Sequence, residues 1–364
     1  MRRAAPFCTL AVLMTAVAGR VQAQPSRLPE IVYAARVYFK PGDRRVSRFH
    51  LYAVRPDGSG RVQLTNSAKA DDRNPHWSPD GRWIAFERED EHGARLMVYS
   101  TASGKLRTLH TVPEDPAPGM ENVEQTYRFG WTPDSRVWVE RVRTRETPPL
   151  NETVTWSVDP STGAATTLAK GRVTWSPDGT RRLVQLQNET WLAGPGRTKR
   201  TVKMPCAEPV WVTSETLLGL SGEPDRQELL ALTPEGSVTA RAAVTKLAAK
   251  DDEDFMWNPG PTVSGGTALF RTNRGHALEG ARRVWGWYRV GTDLKAKFLM
   301  EAMSISFAPD AARYAAVPTT TTLKLGSKEV YGAPLRVFTT TGSQPRTIVG
   351  GTVWVWSADW RQRR

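Results

Sequence analysis

Cysteine is nearly absent from this sequence: among 364 residues only Cys8 and Cys206 carry thiols. Cys8 lies in a segment expected to be removed, and the single thiol left cannot close an internal disulfide. Stability must then come from a packed core, and Cys206 reads as a small buried hydrophobe rather than a nucleophile or metal ligand. Long hydrophobic runs are missing too. The apolar stretch at residues 7–18 is too short to cross a bilayer and no other segment approaches that length, so no transmembrane helix is expected. Histidines are few, and His50, His76, His92, His110 and His276 stand at no metal-ligand spacing. There is no G-x-S-x-G elbow, H-E-x-x-H, C-x-x-C pair, P-loop or EF-hand spacing, which removes the usual hydrolase, zinc, nucleotide and calcium signatures.

What is present at the N-terminus has the order of an export signal. Arg2 and Arg3 precede the apolar run, and Val21-Gln22-Ala23 offers the small-x-small pattern of a cleavage site. Residues 1–23 are therefore expected to be a signal peptide and 24–364 the mature domain, periplasmic or secreted. Cys8 sits within the run and not at a lipid-attachment position. The mature chain keeps 47 basic against 37 acidic residues, a net charge of +10 spread in ones and twos. Spread charge on an exported chain argues against nucleic acid and leaves an acidic glycan or other anionic envelope component as a possible ligand.

An internal repeat organises the rest. Trp77-Ser78-Pro79-Asp80-Gly81 recurs as Trp131-Thr132-Pro133-Asp134, as Trp175-Ser176-Pro177-Asp178-Gly179, as Phe307-Ala308-Pro309-Asp310 and as Trp356-Ser357-Ala358-Asp359. Fainter copies begin at Trp211 and Trp257. Successive anchors are 54, 44, 36, 46, 50 and 49 residues apart, the period of a four-stranded antiparallel blade. Strand–turn–strand signals such as Leu51-Tyr52-Ala53-Val54, Asp57-Gly58-Ser59-Gly60 and Val62-Gln63-Leu64-Thr65 fill the intervals. In each anchor the aromatic ring wedges between blades, proline sets the turn, the aspartate bonds turn amides and glycine takes positive φ. The anchor acids thus read as turn caps rather than catalytic carboxylates.

The expected fold is an all-β propeller of seven blades, or six if Trp211 does not head a blade of its own. Ile31-Val32-Tyr33-Ala34 matches the strand that follows an anchor, while the C-terminus ends on an anchor. Pairing the two would close the ring and remove its sheet edges.

The order of parts from Leu51 to Phe86, DGSG followed by x-x-L-T and P-x-W-S-P-D-G-x-x-I-A-F, resembles the WD40-like PD40 repeat of TolB-type propellers. The resemblance is to the propeller alone, without the α/β domain that precedes it in TolB. It implies that each anchor strand is innermost in its blade, and that the protein binds other envelope proteins without catalysis.

The leading functional expectation is accordingly an exported binding or scaffold protein, monomeric, with no cofactor, that recognises an envelope or secreted protein. The alternative is a carbohydrate-active propeller such as a polysaccharide lyase, with Arg73, Asn74, His76, Arg128 and Arg172 at the channel as its candidate residues. For His76 a structural role is favoured. Long loops at residues 111–124, 141–153, 271–283 and 317–332 are the expected binding surface. The acidic clusters Asp71-Asp72 and Asp251-Asp252-Glu253-Asp254 read as solvated loops, with a calcium site as the sharper alternative.

Overall fold

The computed structural model describes residues 28–37, 48–91, 93–111, 124–144, 151–186, 189–194, 199–206, 208–222, 226–244, 257–263, 266–272, 285–318, 321–325, 328–342, 344–350 and 353–362. The expected signal segment at residues 1–23, most of the expected loop at 111–124 and the acidic stretch 251–254 lie outside the described residues. Among the described residues every element longer than a turn is a strand, as the β-branched and aromatic runs between Gly, Asp and Pro turns dictate.

The strands form antiparallel sheets around a ring. The first sheet takes its innermost strand, Val353–Trp360, from the C-terminus and continues through Ile31–Val37, His50–Val54 and Val62–Gln63. The second runs from Asp71–Trp77 to Leu106–Thr111, and the third from Glu124–Trp131 to Ala165–Lys170. The fourth spans Arg172–Trp175 to Arg200–Val202, and the fifth Val210–Trp211 to Val238–Ala243. The last sheet is seven-stranded, from Trp257–Val263 to Arg346–Val349, and a small hairpin, Thr321–Leu325 with Lys328–Gly332, stands beside it.

Six sheets thus surround the ring where seven separate blades were expected. The reason is not the faint copy at Trp211, which heads a four-stranded sheet of its own. Instead, the two last repeats are fused by one 12-residue strand, Ala296–Phe307. Its first half pairs with Trp285–Gly291 and its second half with Arg313–Pro318. The segment AKFLMEAMSISF contains no Gly, Pro, Asn or Asp to break the chain, so no turn separates outer strand from inner strand.

Closure by the termini is present. Ile31 pairs with Trp360 and Val37 with Val353, so the N-terminal strand lies opposite residues 353–360. The fifth and seventh anchors, Trp257 and Trp356, stand short of their strand ends. Trp257 begins its strand instead of ending it, and the strand ends at Val263. The final strand runs past Trp356 to Trp360. With Val263 and Trp360 as the strand ends, the last three intervals are 52, 44 and 53 residues.

Apolar clusters fill the junctions between successive sheets. Trp77, Ile84 and Phe86 join Val32, Ala34 and Leu51 between the first two. Ala85, Leu96 and Val98 meet Val137, Val139 and Val158 between the second and third. Leu183, Leu192 and Val202 meet Trp211, Leu217 and Leu230 between the fourth and fifth, where Cys206 is buried. There Gly219 is obligatory, because a Cβ would stand 2.2 Å from the Cys206 sulfur. The fifth and sixth sheets share Leu218, Leu229, Ala268, Phe270 and Tyr288. The two halves of the fused sheet pack through Leu269, Trp287, Phe307 and Tyr314. The ring closes on Ile31, Tyr33, Ala315, Val317, Val355 and Trp360. Among the described residues the junction between the third and fourth sheets has no such cluster.

Candidate functional site

The anchor turns behave as their chemistry requires. Ser78 Oγ donates to Asp80 Oδ1 at 2.7 Å, the Arg82 amide donates to the same oxygen at 3.0 Å, and Gly81 takes φ +69°. Burial alone would raise the Asp80 carboxyl, but the Ser78 and Arg82 bonds outweigh it and hold it below the usual range. Asp178 repeats this with Ser176 and Thr180, with Gly179 at φ +73°. Thr132 caps Asp134, and Ser135 takes the left-handed position at φ +61°. Asp310 bonds the Ala312 amide at 2.9 Å.

Asp359 departs from this pattern. It lies in a continuous strand and accepts from the Trp77 amide at 2.8 Å and from Ser306 Oγ at 2.9 Å. One half-buried carboxylate therefore links the innermost strands of three neighbouring units across the closure. Burial pushes its carboxyl above the usual aspartate value, against the pull of His76 and of these hydrogen bonds.

The five channel candidates separate into two groups. Arg73, Asn74 and His76 belong to the second sheet and are held there. Arg73 donates to Glu89 at 2.8 Å and Asp71 at 3.3 Å, while its guanidinium covers the rings of Trp356 and Phe49 at 4.6 and 5.1 Å. Asn74, at φ +51°, donates to Glu87 and accepts from Trp356 Nε1 at 3.2 Å. Burial raises the Glu87 carboxyl. His76 sits one residue before Trp77, nearer the anchor turns than Arg73. Its ring meets Phe129 edge-on at 5.4 Å, and its carbonyl accepts from Trp131 Nε1 at 2.9 Å. The pair Asp71-Asp72 is not a solvated loop. It lies in a strand, with Asp71 bonding the Phe49 amide at 2.7 Å and buried Asp72 taking Arg88 on both oxygens. Among the described residues no group of three His, Cys, Asp or Glu is placed to hold a metal ion.

Arg128 and Arg172 form the second group, at the junction that lacks an apolar cluster. Arg128, Arg172 and Glu208 each stand three residues before an anchor tryptophan, Trp131, Trp175 and Trp211. With Asn74 at the same offset from Trp77, four consecutive repeats present Asn, Arg, Arg and Glu at one level of the ring. Arg172 is spent on acids, with Nε 3.3 Å from Glu140 and Nη1 2.5 Å from Glu208. Burial would lower the Arg172 guanidinium, but these two carboxylates hold it above its ordinary value. Glu140 is 2% exposed, and its second oxygen has no hydrogen-bond partner among the described residues. Arg128 is exposed and directly opposite Glu140 in the sheet register, yet has no ion-pair partner among the described residues. Arg271, from the sixth sheet, is held below its ordinary value first by burial and then by the nearby Arg128 charge, with Glu208 opposing.

Residue-type reasoning missed Glu140, Glu208 and Arg271. Glu208 was open to detection at the same three-residue offset as Arg128 and Arg172. Glu140 and Arg271 come from neighbouring strands, and only the register places them there.

No family model matches this sequence, and no curated protein matches it. Solved structures do match in fold. TolB from Acinetobacter baumannii is 13% identical, with a TM-score of 0.50, over 92% of this chain and 67% of that one. A Mycobacterium tuberculosis puromycin-hydrolysing peptidase is 17% identical at a TM-score of 0.53, covering 89% of this chain and 53% of its own. An acylaminoacyl peptidase from Pyrococcus horikoshii is 13% identical at 0.51, covering 88% and 51%. The chain spans about half the length of these peptidases. At such identities the likeness shows the fold alone, that of a TolB-like β-propeller.

Proposed function

We propose that this TolB-like β-propeller is an exported binding protein that recognises a protein partner at the arginine-bearing end of its channel and turns over no substrate. The observation that carries the reading is the division of the candidate residues. Arg73 and Asn74 are committed to ion pairs and aromatic contacts within their own sheet. Arg172 is likewise committed to Glu140 and Glu208, so three of the five lyase candidates are tied up in ion pairs or amide bonds and are not open to act as base or charge stabiliser. A rigid ring with an open cation suits recognition, because the scaffold is ordered before the partner arrives. Export rests on the order of charge, apolar run and small residues in the first 23 positions.

The carbohydrate-active alternative retains one support. His76 is exposed beside Glu87, whose carboxyl is raised by burial, and such a pair has acid–base character. Two assays separate the readings. Capture from envelope extract on the immobilised mature protein should retain a discrete partner, weakened by salt and lost when loop 112–123 is shortened. Incubation with acidic polysaccharides should leave them intact. Release of unsaturated sugar ends, abolished by His76→Ala, would establish the lyase reading instead.

A further inference from the structure

The polar junction between the third and fourth sheets goes beyond a general binding surface. Six other contacts around the ring, including that inside the fused sheet, are filled by apolar clusters. Here the described residues instead supply two guanidiniums, Arg128 and Arg172, and two carboxylates, Glu140 and Glu208, with Arg271 of the sixth sheet near enough to feel the Arg128 charge. Both carboxylates are engaged by Arg172, and Arg172 is largely covered. Arg128 itself is exposed and without an ion-pair partner among the described residues, although Glu140 faces it in the sheet register. A guanidinium in a partly desolvated ring mouth binds carboxylate by paired, charge-assisted hydrogen bonds. A single guanidinium matches a carboxylate better than a doubly charged phosphate.

We propose that Arg128, backed by Arg172 and Arg271, is the receptor for a carboxylate of an acidic protein segment that enters the channel mouth. A sugar acid would offer the same carboxylate, but sugar recognition draws on open aromatic faces. At this junction the half-buried rings of Trp138 and Trp175 are turned toward each other, with centroids 6.4 Å apart. A peptide needs no such platform. Arg172 acts as a positioning residue, since by occupying Glu140 and Glu208 it keeps Arg128 unneutralised.

The inference rests on the binding-protein reading and is tested separately from it. A fluorescein-labelled peptide of alternating glycine and glutamate is titrated into the mature protein, in C-terminally free and amidated forms, and followed by fluorescence anisotropy. Saturable binding is expected, reduced at least tenfold by Arg128→Gln and partly restored by Arg128→Lys. Arg346→Gln, on an exposed outer strand, should leave it unchanged. Equal binding of the two forms assigns the carboxylate to side chains, and loss on amidation assigns it to the chain end. Unchanged affinity in Arg128→Gln overturns the proposal, as does saturable binding of oligogalacturonate with none of the peptide. If a partner is still captured from extract in either case, the binding-protein reading stands while this site falls.

Discussion

The two sides of the ring are built on opposite principles. At the closure, the first sheet is walled on both faces by apolar clusters, with Trp360 2% and Trp77 5% exposed. Its half-buried carboxylate, Asp359, is used in stitching neighbouring strands. At the junction of the third and fourth sheets the contacts are Trp138 with Trp175, the Arg172 ion pairs, and the Thr155 hydroxyl on the Gly171 carbonyl at 2.6 Å. Apolar burial stabilises without demanding geometry, whereas a buried ion pair repays its desolvation only when every polar atom is matched. Glu140 keeps an unmatched oxygen. A ring closed by non-covalent pairing of its termini needs its strongest packing there, and a site that must hold an uncompensated cation has to give some packing up. On the proposed reading, stability and recognition fall to different arcs of the same ring.

The largest expected contrast is between equivalent anchor tryptophans. Trp77→Ala removes a buried ring from the closure and should cost about 3–5 kcal/mol. Trp175→Ala, at the polar junction where the ring is only half-buried, should cost about half as much. Denaturant titration of both variants measures the difference, and equal losses would mean that the two arcs are packed alike.

A smaller effect distinguishes the arcs by pH. Asp359 holds its proton more tightly when folded than when unfolded, because burial disfavours its charge. The native state therefore binds the extra proton between the usual aspartate value and the raised one. Stability from this group is present at the acid end of that window and is lost as pH rises through it. Wild-type protein should gain stability relative to Asp359→Asn as pH is lowered from neutral toward the usual aspartate range. Melting curves for the two proteins that stay parallel across that range would show that Asp359 titrates normally. The turn acids Asp80 and Asp159, the latter accepting from the Ser161 amide at 2.8 Å, have the opposite sign. Their lowered values, about 2 for Asp159, mean a loss of stability only in stronger acid.

Much of this architecture was legible because the repeat carries its own chemistry. Trp-Ser-Pro-Asp-Gly announces a strand end and a turn, and its recurrence announces the ring. The terminal pairing followed from the mismatch of the two ends. Six sheets stood as the alternative to seven blades, but not for the reason found, because the continuous strand from Ala296 to Phe307 is signalled only by the absence of turn residues. Trp257 and Trp356 misled as anchors, since both are tryptophans that stand short of their strand ends at Val263 and Trp360. In the candidate site, offsets within a strand were readable and contacts between strands were not. The expected roles of Arg128 and Arg172 depend on Glu140 and Arg271, which only cross-strand register and ring closure bring near.

The claim that the polar arc is kept for recognition at the expense of packing is tested most directly by replacing its buried pair. In Glu140→Leu with Arg172→Met, two charges give way to apolar groups of similar size, and Glu208 is released toward Arg271 and Arg128. Thermal stability should be unchanged or higher, since exchanging a buried ion pair for apolar packing is often neutral or favourable. Affinity for the acidic peptide should nonetheless fall several-fold, because the freed carboxylate neutralises the receptor cation. A double variant that is clearly destabilised yet binds the peptide as well as wild type would contradict the account.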